Sequence, residues 1–233
     1  PEDWWCETIL YGVDHLVFRP VNHDHEEDQL AHEAIRTTYG ADDEAGLIGL
    51  ANTSTPLLLA VGRLVARKGH RTLLRAMPSI LEAHPKARLV IVGRGQMRGA
   101  LMRQAKRLGV DHAVTIQPEM PLEELAQHFR SADLVVDPSY YEGQGLMALE
   151  SLASGTPVVT VDHGLLTEMI DESVGGLFRC GDADDLSRAV VASLDDPEGR
   201  TAQAKRGRAR VLDLYTYEHN AAAYDAMYAV VTQ

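Results

Sequence analysis

Short apolar segments alternate with amphipathic segments between residues 57 and 161, and this alternation restricts the fold more than any other feature. The apolar segments have the length of strands, and the amphipathic ones repeat apolar residues at helical spacing. The predicted strands are Leu57–Val61, Arg88–Val92, Val114–Gln117, 133–137 and 157–161. Strands that are apolar throughout are typical of sheets covered on both faces. The pattern therefore predicts an α/β fold with a doubly wound parallel sheet.

Helices are predicted between these strands and on either side of them. The segment that starts at Gly69 and stops before Pro85 carries one apolar face, formed by Leu73, Leu74, Met77, Ile80 and Leu81. Further helices are predicted over residues 24–39, 95–108, 121–130 and 182–194, from Gly145 onward, over a short piece of 163–170, and along the tail from Pro197. Each has the length of an ordinary globular helix.

Several shorter segments carry their own predictions. Residues 1–20 suggest a strand over 7–10, a turn over 12–15 and an exposed segment that ends at Pro20, and residues 41–56 have the composition of a loop. Gly175 and Gly176 predict a turn. Four tyrosines in the tail are predicted to pack against a domain surface, because few positive charges lie among them. They are Tyr215, Tyr217, Tyr224 and Tyr228.

Composition narrows the class of protein. The 233 residues include 34 acidic and 22 basic ones, and the net charge of −12 argues against a nucleic acid or an anionic membrane as the main partner. Cys6 and Cys180 lack metal-binding spacing, so we expect a reducing cytoplasmic location, with a bridge between them left open. No apolar run approaches the roughly 20 residues that a membrane span needs. Because no Met precedes Pro1, we expect the sequence to begin inside a longer chain.

Two glutamates flank a predicted anion site. Glu142 precedes Glu150 by eight positions, with Gly143 and Gly145 between them, and the following helix is predicted to begin near Gly145. The first amides of a helix lack partners within the helix and carry the positive end of its dipole. Hydrogen-bond acceptors on both sides of an anion site suit a nucleotide-diphospho-sugar, because this ligand has hydroxyl groups on either side of its phosphates. The alternative is that Glu150 is a solvated helix residue with no ligand.

Basic residues follow the first predicted strand directly. Arg63 and Lys68, bracketed by Gly62 and Gly69, would offer two fixed cations to a diphosphate, while Arg67 is predicted to point to solvent. Parallel sheets bind ligands at the carboxyl ends of their strands, so this loop and the glutamate pair are expected to converge. The alternative is a set of ordinary surface charges.

Three weaker patterns are open to other interpretations. Gly93-Arg94-Gly95 is an incomplete dinucleotide fingerprint, with Arg98 where a third glycine would stand, so an NAD-dependent oxidoreductase is a disfavoured alternative. His23-Asp24-His25 is predicted to be solvated. Asp182-Ala183-Asp184 is predicted to cap a helix rather than to bind a metal.

Taken in order, these segments resemble the motifs of the group 1, retaining glycosyltransferases of GT-B architecture. The matching segments are 62–69 (GRL…KG), 142–150 (EGQGLMALE), 155–159 (GTPVV), and Gly164 with Glu168. The resemblance runs from about Tyr11 to Val231 and is to the carboxyl-terminal, donor-binding half of such enzymes. It implies that residues 1–20 are an interdomain linker remnant and that 21–214 form a Rossmann-like nucleotide-sugar-binding domain. Residues 215–233 would then be a helix returning to a missing amino-terminal domain, which would bind the acceptor.

The resemblance also implies roles for individual residues. As catalytic groups, Arg63 and Lys68 would hold the diphosphate and Glu142 would face the sugar, while Glu150 would bind the ribose. The remaining donor-binding set is Gly62, Gln117 with its loop against the base, and the main chain of Gly143, Gln144, Gly145 and Leu146. No metal or other cofactor is expected. The sequence departs from the family at Gln144, where an aromatic residue is usual, at Leu165, where a second glycine is usual, and at Thr167, where proline is common.

The expected function is transfer of a hexose from a UDP- or GDP-sugar to an unknown acceptor, with retention at the anomeric carbon. The chain by itself is expected to bind the nucleotide and to be a poor catalyst, because the acceptor half of the cleft would be missing. Two alternatives remain open at this stage. One is a nucleotide-sugar-binding module without transfer activity, and the other is an epimerase or phosphorylase of the same architecture.

Overall fold

The computed structural model describes residues 12–41 and 55–231. The predicted strand over 7–10, Cys6 and most of the predicted loop over 41–56 lie outside these ranges. In chain order the elements are α1 (Glu26–Thr38), β1 (Leu57–Val61), α2 (His70–Ala83), β2 (Arg88–Val92), α3 (Arg98–Arg107), β3 (Val114–Gln117), α4 (Leu122–Ser131), β4 (Leu134–Asp137), α5 (Leu146–Ala153), β5 (Val158–Val161), α6 (Leu166–Met169), β6 (Gly175–Phe178), α7 (Ala183–Asp195), α8 (Pro197–Leu214) and α9 (Tyr217–Val231). The five predicted strands and the helices among them differ from these bounds by at most three residues.

The six strands form one sheet in the order β3-β2-β1-β4-β5-β6, and every neighbouring pair is parallel. Along the chain, β2 and β3 are added on one side of β1. The chain then crosses to the other side of β1, where Leu58 of β1 pairs with Leu134 of β4. The predicted doubly wound parallel sheet is confirmed. The reversal between β1 and β4 opens a crevice at the carboxyl ends of these strands, where such sheets bind ligands.

Helices cover the sheet in two groups. On one side of the sheet, α2 contacts α3 and α7. On the other side, α4 contacts α1 and α5, and α5 also contacts α8. Right-handed crossovers place helices of the outward and the returning half on opposite faces. The predicted apolar face of α2 is buried, with Leu73, Leu74, Met77 and Ile80 at 0% exposure. Among the described residues, no helix combines the length and the apolar character needed to cross a membrane.

The prediction of a turn at Gly175 and Gly176 is wrong, because both residues belong to the edge strand β6. Glycine is needed there for close approach to β5 rather than for chain reversal. A Cβ on Gly175 would lie 2.3 Å from the carbonyl oxygen of Val158, and one on Gly176 would lie 3.0 Å from a methyl carbon of Val159. A strand with two such glycines lacks the side-chain pattern by which strands are recognised.

The segment before Pro20 is also less exposed than predicted. Phe18 is 2% exposed and its ring packs edge-on against Phe129, with 5.6 Å between centroids and 81° between planes. Val13 is equally buried, and its amide donates to the carbonyl of Tyr215 over 2.8 Å. The start of the described chain therefore packs beside the junction of α8 and α9.

The tail tyrosines only partly follow the prediction that they pack against the domain. Tyr215 is 5% exposed, but Tyr217, Tyr224 and Tyr228 are 57%, 41% and 59% exposed. The last three share one face of α9, because offsets of seven and eleven residues return to the same side of a helix. That face points away from the domain.

A buried ion pair ties α1 to the amino ends of β1 and β4. Arg36 Nη1 lies 3.0 Å from Asp133 Oδ2, with the two side chains 6% and 10% exposed. The same carboxylate accepts the amide of Leu57 over 2.7 Å, and Arg36 Nη2 donates to the carbonyl of Thr55. This network lies at the end of the sheet opposite the crevice.

The start of α2 is pressed against the loop that follows β4. Gly69 precedes α2 in the left-handed conformation, with φ +65°, and a Cβ there would lie 1.7 Å from the carbonyl oxygen of Pro138. Because the nearest atoms belong to the main chain, no side-chain rotation could make room for the added Cβ. The loop after β1 therefore requires glycine at this position.

We predict that Gly69→Ala destabilises the fold by at least about 3 kcal/mol, because a left-handed conformation and an overpacked contact add together. Gly109→Ala is the matched control, since Gly109 has φ +72° with nothing within 4 Å of the added Cβ. The Gly109→Ala control should lower the free energy of unfolding by about 1–2 kcal/mol, because it adds only the strain of the backbone. Denaturant unfolding of both variants measures the difference, and equal losses would contradict the importance of the Pro138 contact.

Candidate functional site

Two loops meet over the crevice between β1 and β4. The amide of Tyr140 donates to the carbonyl of Arg67 over 2.8 Å, and Arg67 Nη1 donates to the carbonyl of Tyr141 over 3.3 Å. Together with the contact of Gly69 and Pro138, these bonds join residues 62–69 to residues 138–145. The two loops that the sequence singled out thus form a single surface.

Lys68 ion-pairs with Glu142 across this surface. Lys68 ends a 3₁₀ turn (Ala66–Lys68), and its stem lies against Gly62, where a Cβ would sit 3.4 Å from Lys68 Cε. The Nζ atom bonds the Glu142 carboxylate, and the two side chains are only 13% and 15% exposed. Burial acts to raise the pKa of Glu142, but the hydrogen bond and charge of Lys68 lower it overall. The glutamate is therefore ionised at neutral pH and holds the cation in place.

The two arginines of this loop are arranged differently from Lys68. Arg63 and Arg67 are both exposed. The predicted outward direction of Arg67 agrees with the structure, apart from its bond to Tyr141. Arg63, which directly follows Gly62 at the end of β1, takes no part in the Lys68–Glu142 contact.

The helix α5 begins beside this ion pair, as predicted. Gly145 precedes it with φ +66°, and a Cβ there would lie 2.0 Å from Met169 Cε, so the start of the helix is closely packed. The amide of Gln144 donates to Glu142 Oε1 over 3.3 Å, while Gly143 and Gln144 are exposed. The backbone of Gly145 also hydrogen-bonds the Glu142 carboxylate, so the start of α5 already holds an anionic group, in keeping with the polarity of a helix amino terminus.

Glu150 lies one turn further along α5 and is mostly buried. Burial raises its pKa to about 7, although the charge of Lys68 acts in the opposite direction. Lys68 is thus close enough to influence both members of the glutamate pair. At neutral pH the side chain is divided between its protonated and its ionised form.

Gln117 lies at the carboxyl end of β3, two strands away from β1. Its side chain hydrogen-bonds Tyr39, and its carbonyl accepts the amide of Gly93 over 3.0 Å. It borders a cavity of about 580 Å³ between α1, α4 and the loop after β3. The structure therefore places Gln117 on the same edge of the sheet as the other candidates but outside their cluster.

The glycines of the partial dinucleotide fingerprint support the β1–α2 loop from behind. A Cβ on Gly93 would lie 2.0 Å from the carbonyl oxygen of Gly62, and one on Gly95 would lie 2.4 Å from that of Leu64. The amide of Leu64 donates to the carbonyl of Arg94 over 2.8 Å. Close contact between two loops accounts for both glycines without a cofactor.

The Asp182-Ala183-Asp184 pattern caps a helix, as predicted. Asp182 Oδ1 accepts the amides of Asp184 and Asp185 over 3.1 and 2.9 Å at the start of α7. Within residues 12–41 and 55–231, no three His, Cys, Asp or Glu side chains are grouped as metal ligands would be.

A second cavity adjoins Glu142 on the side away from Gln117. It encloses about 290 Å³ between the loops after β4 and β5. Its lining residues are Tyr141, Glu142, Gly143, Val161, His163, Gly164, Leu165 and Leu166. Leu165, one of the departures from the family pattern, thus forms part of the wall that faces Glu142.

Sequence reasoning missed two buried polar residues at the floor of the crevice. Asp137 ends β4 at 1% exposure, and its Oδ1 accepts the amide of Ser139 over 3.1 Å. Its Oδ2 has no hydrogen-bond partner among the described residues, and burial raises its pKa. The second residue is His70, the first residue of α2. A carboxylate at the end of an apolar strand and a histidine directly after Lys68-Gly69 were the available signals.

Comparison with known proteins supplies the family. A family model described as glycosyl transferases group 1 matches residues 48–210. A D-inositol 3-phosphate glycosyltransferase of Segniliparus rotundus is 36% identical over 206 residues, which cover 86% of this chain and 42% of that enzyme. The chain thus spans less than half the length of this relative.

Solved structures agree with the sequence match. Sucrose-phosphate synthase from Thermosynechococcus elongatus superimposes with a TM-score of 0.78 at 30% identity, covering 96% of this chain and 52% of that one. The Anabaena HepE protein, solved in complex with UDP and glucose, gives a TM-score of 0.77 at 18% identity, covering 94% and 55% of the two chains. The latter likeness concerns the fold alone. The family match, the parallel sheet and the paired loops together establish that this chain belongs to the group 1 glycosyltransferases, with the Rossmann-like architecture of a GT-B domain.

Proposed function

We propose that this chain binds a nucleotide-diphospho-sugar in the crevice between β1 and β4. It would serve as the donor-binding half of a retaining glycosyltransferase that transfers a hexose from a UDP- or GDP-sugar. The observation that carries the proposal is the Lys68–Glu142 ion pair beside the start of α5, with Glu150 further along the same helix. These residues combine a partly buried cation, the amides at a helix start and two carboxylates at the carboxyl ends of neighbouring strands.

The diphosphate of the donor matches the positive part of this site. Lys68 is fixed by its stem against Gly62 and by Glu142, and the amides of Gln144 and Gly145 bond to the same carboxylate. A donor phosphate would share or replace Glu142 as the partner of Lys68, and the exposed Arg63 would reach it from the mouth. Cations held in place before the reaction stabilise the charge that develops on the departing nucleotide.

The two carboxylates match the hydroxyl groups on either side of the diphosphate. Glu150, further into the domain, would accept the ribose hydroxyls. Glu142, displaced from Lys68 by the donor, would accept hydroxyls of the sugar, with the 290 Å³ cavity on its far side as room for that group. The loop after β3, which includes Gln117, would contact the base. Because the fixed cations and the helix amides supply the positive charge, the proposed mechanism needs no metal.

Transfer also needs an acceptor, which this domain would receive from a further region. The enzymes named above are an inositol phosphate glycosyltransferase and a sucrose-phosphate synthase, and the chain covers about half of each or less. We propose that the acceptor is held by an amino-terminal half of the protein. Donor binding without efficient transfer is then the expected behaviour of these 233 residues.

We predict that the chain binds UDP or GDP and that Lys68→Ala weakens this binding at least about tenfold. A charge-assisted hydrogen bond is worth about 1.5–3 kcal/mol, and each 1.4 kcal/mol is a factor of ten. Isothermal titration calorimetry measures both proteins. Lys106→Ala, which removes an exposed lysine from α3, is the control and should leave the affinity unchanged. If the folded wild-type chain bound neither nucleotide, the proposed function would be wrong.

The affinity for a nucleotide sugar should depend on pH. Glu150 has a pKa of about 7 in the free protein, and ribose hydroxyls that donate to the ionised carboxylate would lower it in the complex. A group whose pKa falls on binding releases protons, so affinity rises with pH until the free group is fully ionised. We expect the affinity for the nucleotide sugar that binds, tested as UDP-glucose and GDP-mannose, to fall roughly tenfold from pH 8 to pH 6.

Glu150→Gln is the matched variant for this prediction, because it preserves the shape of the side chain and cannot titrate. Its affinity should be lower at pH 8 and nearly independent of pH. A nucleotide sugar avoids the terminal phosphate of UDP or GDP, which itself titrates in this range. An affinity that increased as the pH fell would show that Glu150 acts as a donor, in contradiction to its proposed role.

A further inference from the structure

His70 is a buried polar residue without a function in the scheme above. It is the first residue of α2 and is 3% exposed. Neither ring nitrogen has a hydrogen-bond partner of normal geometry among the described residues. Leaving a buried polar group unpaired costs about 1–3 kcal/mol, so such groups are few in native proteins.

His70 is surrounded by residues of the loop after β1, residues 62–69. Burial lowers the pKa of His70 to about 4, weak hydrogen bonds of poor geometry to the backbone of Arg63 and of Gly62 act in the opposite direction, and the charge of Lys68 lowers it further. The ring is therefore neutral at physiological pH, with one N–H donor and one bare nitrogen. It lies beside the turn at Gly62 and Arg63 and close to the charge of Lys68.

The Gly62–Arg63 turn also packs against the end of β2 and the glycine that follows it. The Gly62 amide donates to the carbonyl of Val92 over 3.0 Å, and Gly93 can lie against the Gly62 carbonyl only because it lacks a Cβ. The stem of Lys68 lies on Gly62 from above. A small movement of the turn therefore changes both its distance to His70 and the position of the Lys68 ammonium group.

We propose that His70 is a positioning residue for the donor diphosphate, completing a hydrogen bond to the main chain of the Gly62–Arg63 turn when the diphosphate draws Lys68 and this turn into place. The ring, which makes no hydrogen bond of normal geometry in the free protein, is then a group that the bound state satisfies. This inference rests on the proposed function, since it assigns His70 to the same donor site. It predicts that His70 supports the binding of the second phosphate and contributes nothing to folding of the free protein.

The variant His70→Phe separates these two effects. It keeps a ring of similar shape and removes the unpaired nitrogens, so the thermal midpoint of the free protein should stay the same or rise. Affinity for UDP or GDP should fall about tenfold, while affinity for UMP or GMP should change less than about twofold, because only the diphosphate engages the turn fully. Calorimetry with each nucleotide pair and thermal unfolding of the whole chain supply these values.

Two further variants act as controls. His70→Gln retains a donor and an acceptor and should recover most of the affinity for UDP or GDP. His32→Phe removes another histidine that has an unpaired nitrogen and a pKa lowered to about 4 by burial, on α1 and away from the crevice. It should leave the affinities for diphosphates and monophosphates unchanged.

The outcomes distinguish this inference from the proposed function. If the wild-type chain bound no nucleotide diphosphate, the proposed function and this inference would both fail. If the wild type bound UDP or GDP and His70→Phe bound it equally well, or lost monophosphate and diphosphate affinity in equal measure, only the role of His70 would be wrong. Failure of His70→Phe to fold would equally overturn it, since the ring would then be needed in the free protein.

Discussion

The contact between the main chains at Gly69 and Pro138 is the constraint on which the rest of the site depends. It exists because β1 and β4 are neighbouring parallel strands, so the loops that follow them leave the same edge of the sheet. It is possible only because Gly69 has no side chain to separate those loops. The contact brings Lys68 to Glu142 and places both beside the start of α5. A cation and an anion far apart in sequence thereby become an ion pair that is nearly closed to solvent.

The electrostatics of the crevice are unfavourable for the free protein and suited to a charged ligand. Lys68 is the partly buried cation among Glu142, Glu150 and Asp137, and burial raises the pKa of the latter two. A fold selected only for stability would not keep these carboxyl groups beneath a loop, because burying a charge without a full set of partners is costly. Violations of this kind are expected at functional sites.

The secondary structure was predictable where local pattern and burial agree, as in the apolar strands and in α2 with its single apolar face. The errors occurred where tertiary contact overrides local pattern. β6 contains two glycines because β5 lies too close for side chains, and Phe18 is buried because Phe129 offers it an aromatic edge. The tyrosines of α9 point outward although their composition suggested packing. The candidate site was predictable because its residues are concentrated in two short motifs at strand ends, whereas Asp137 and His70 acquire interest only through unpaired atoms.

The sequence by itself determined the class of fold, five of its six strands and the residue types that follow these strands, because hydrophobic periodicity and motif spacing are local properties. The tertiary structure decided which of these residues meet. It paired Lys68 with Glu142, left Arg63 exposed and Gln117 two strands away from β1, and raised the pKa of Glu150 to about 7. Distances across a sheet and the loss of solvent around a carboxyl group depend on strand order and packing, and neither property belongs to any single segment of the chain.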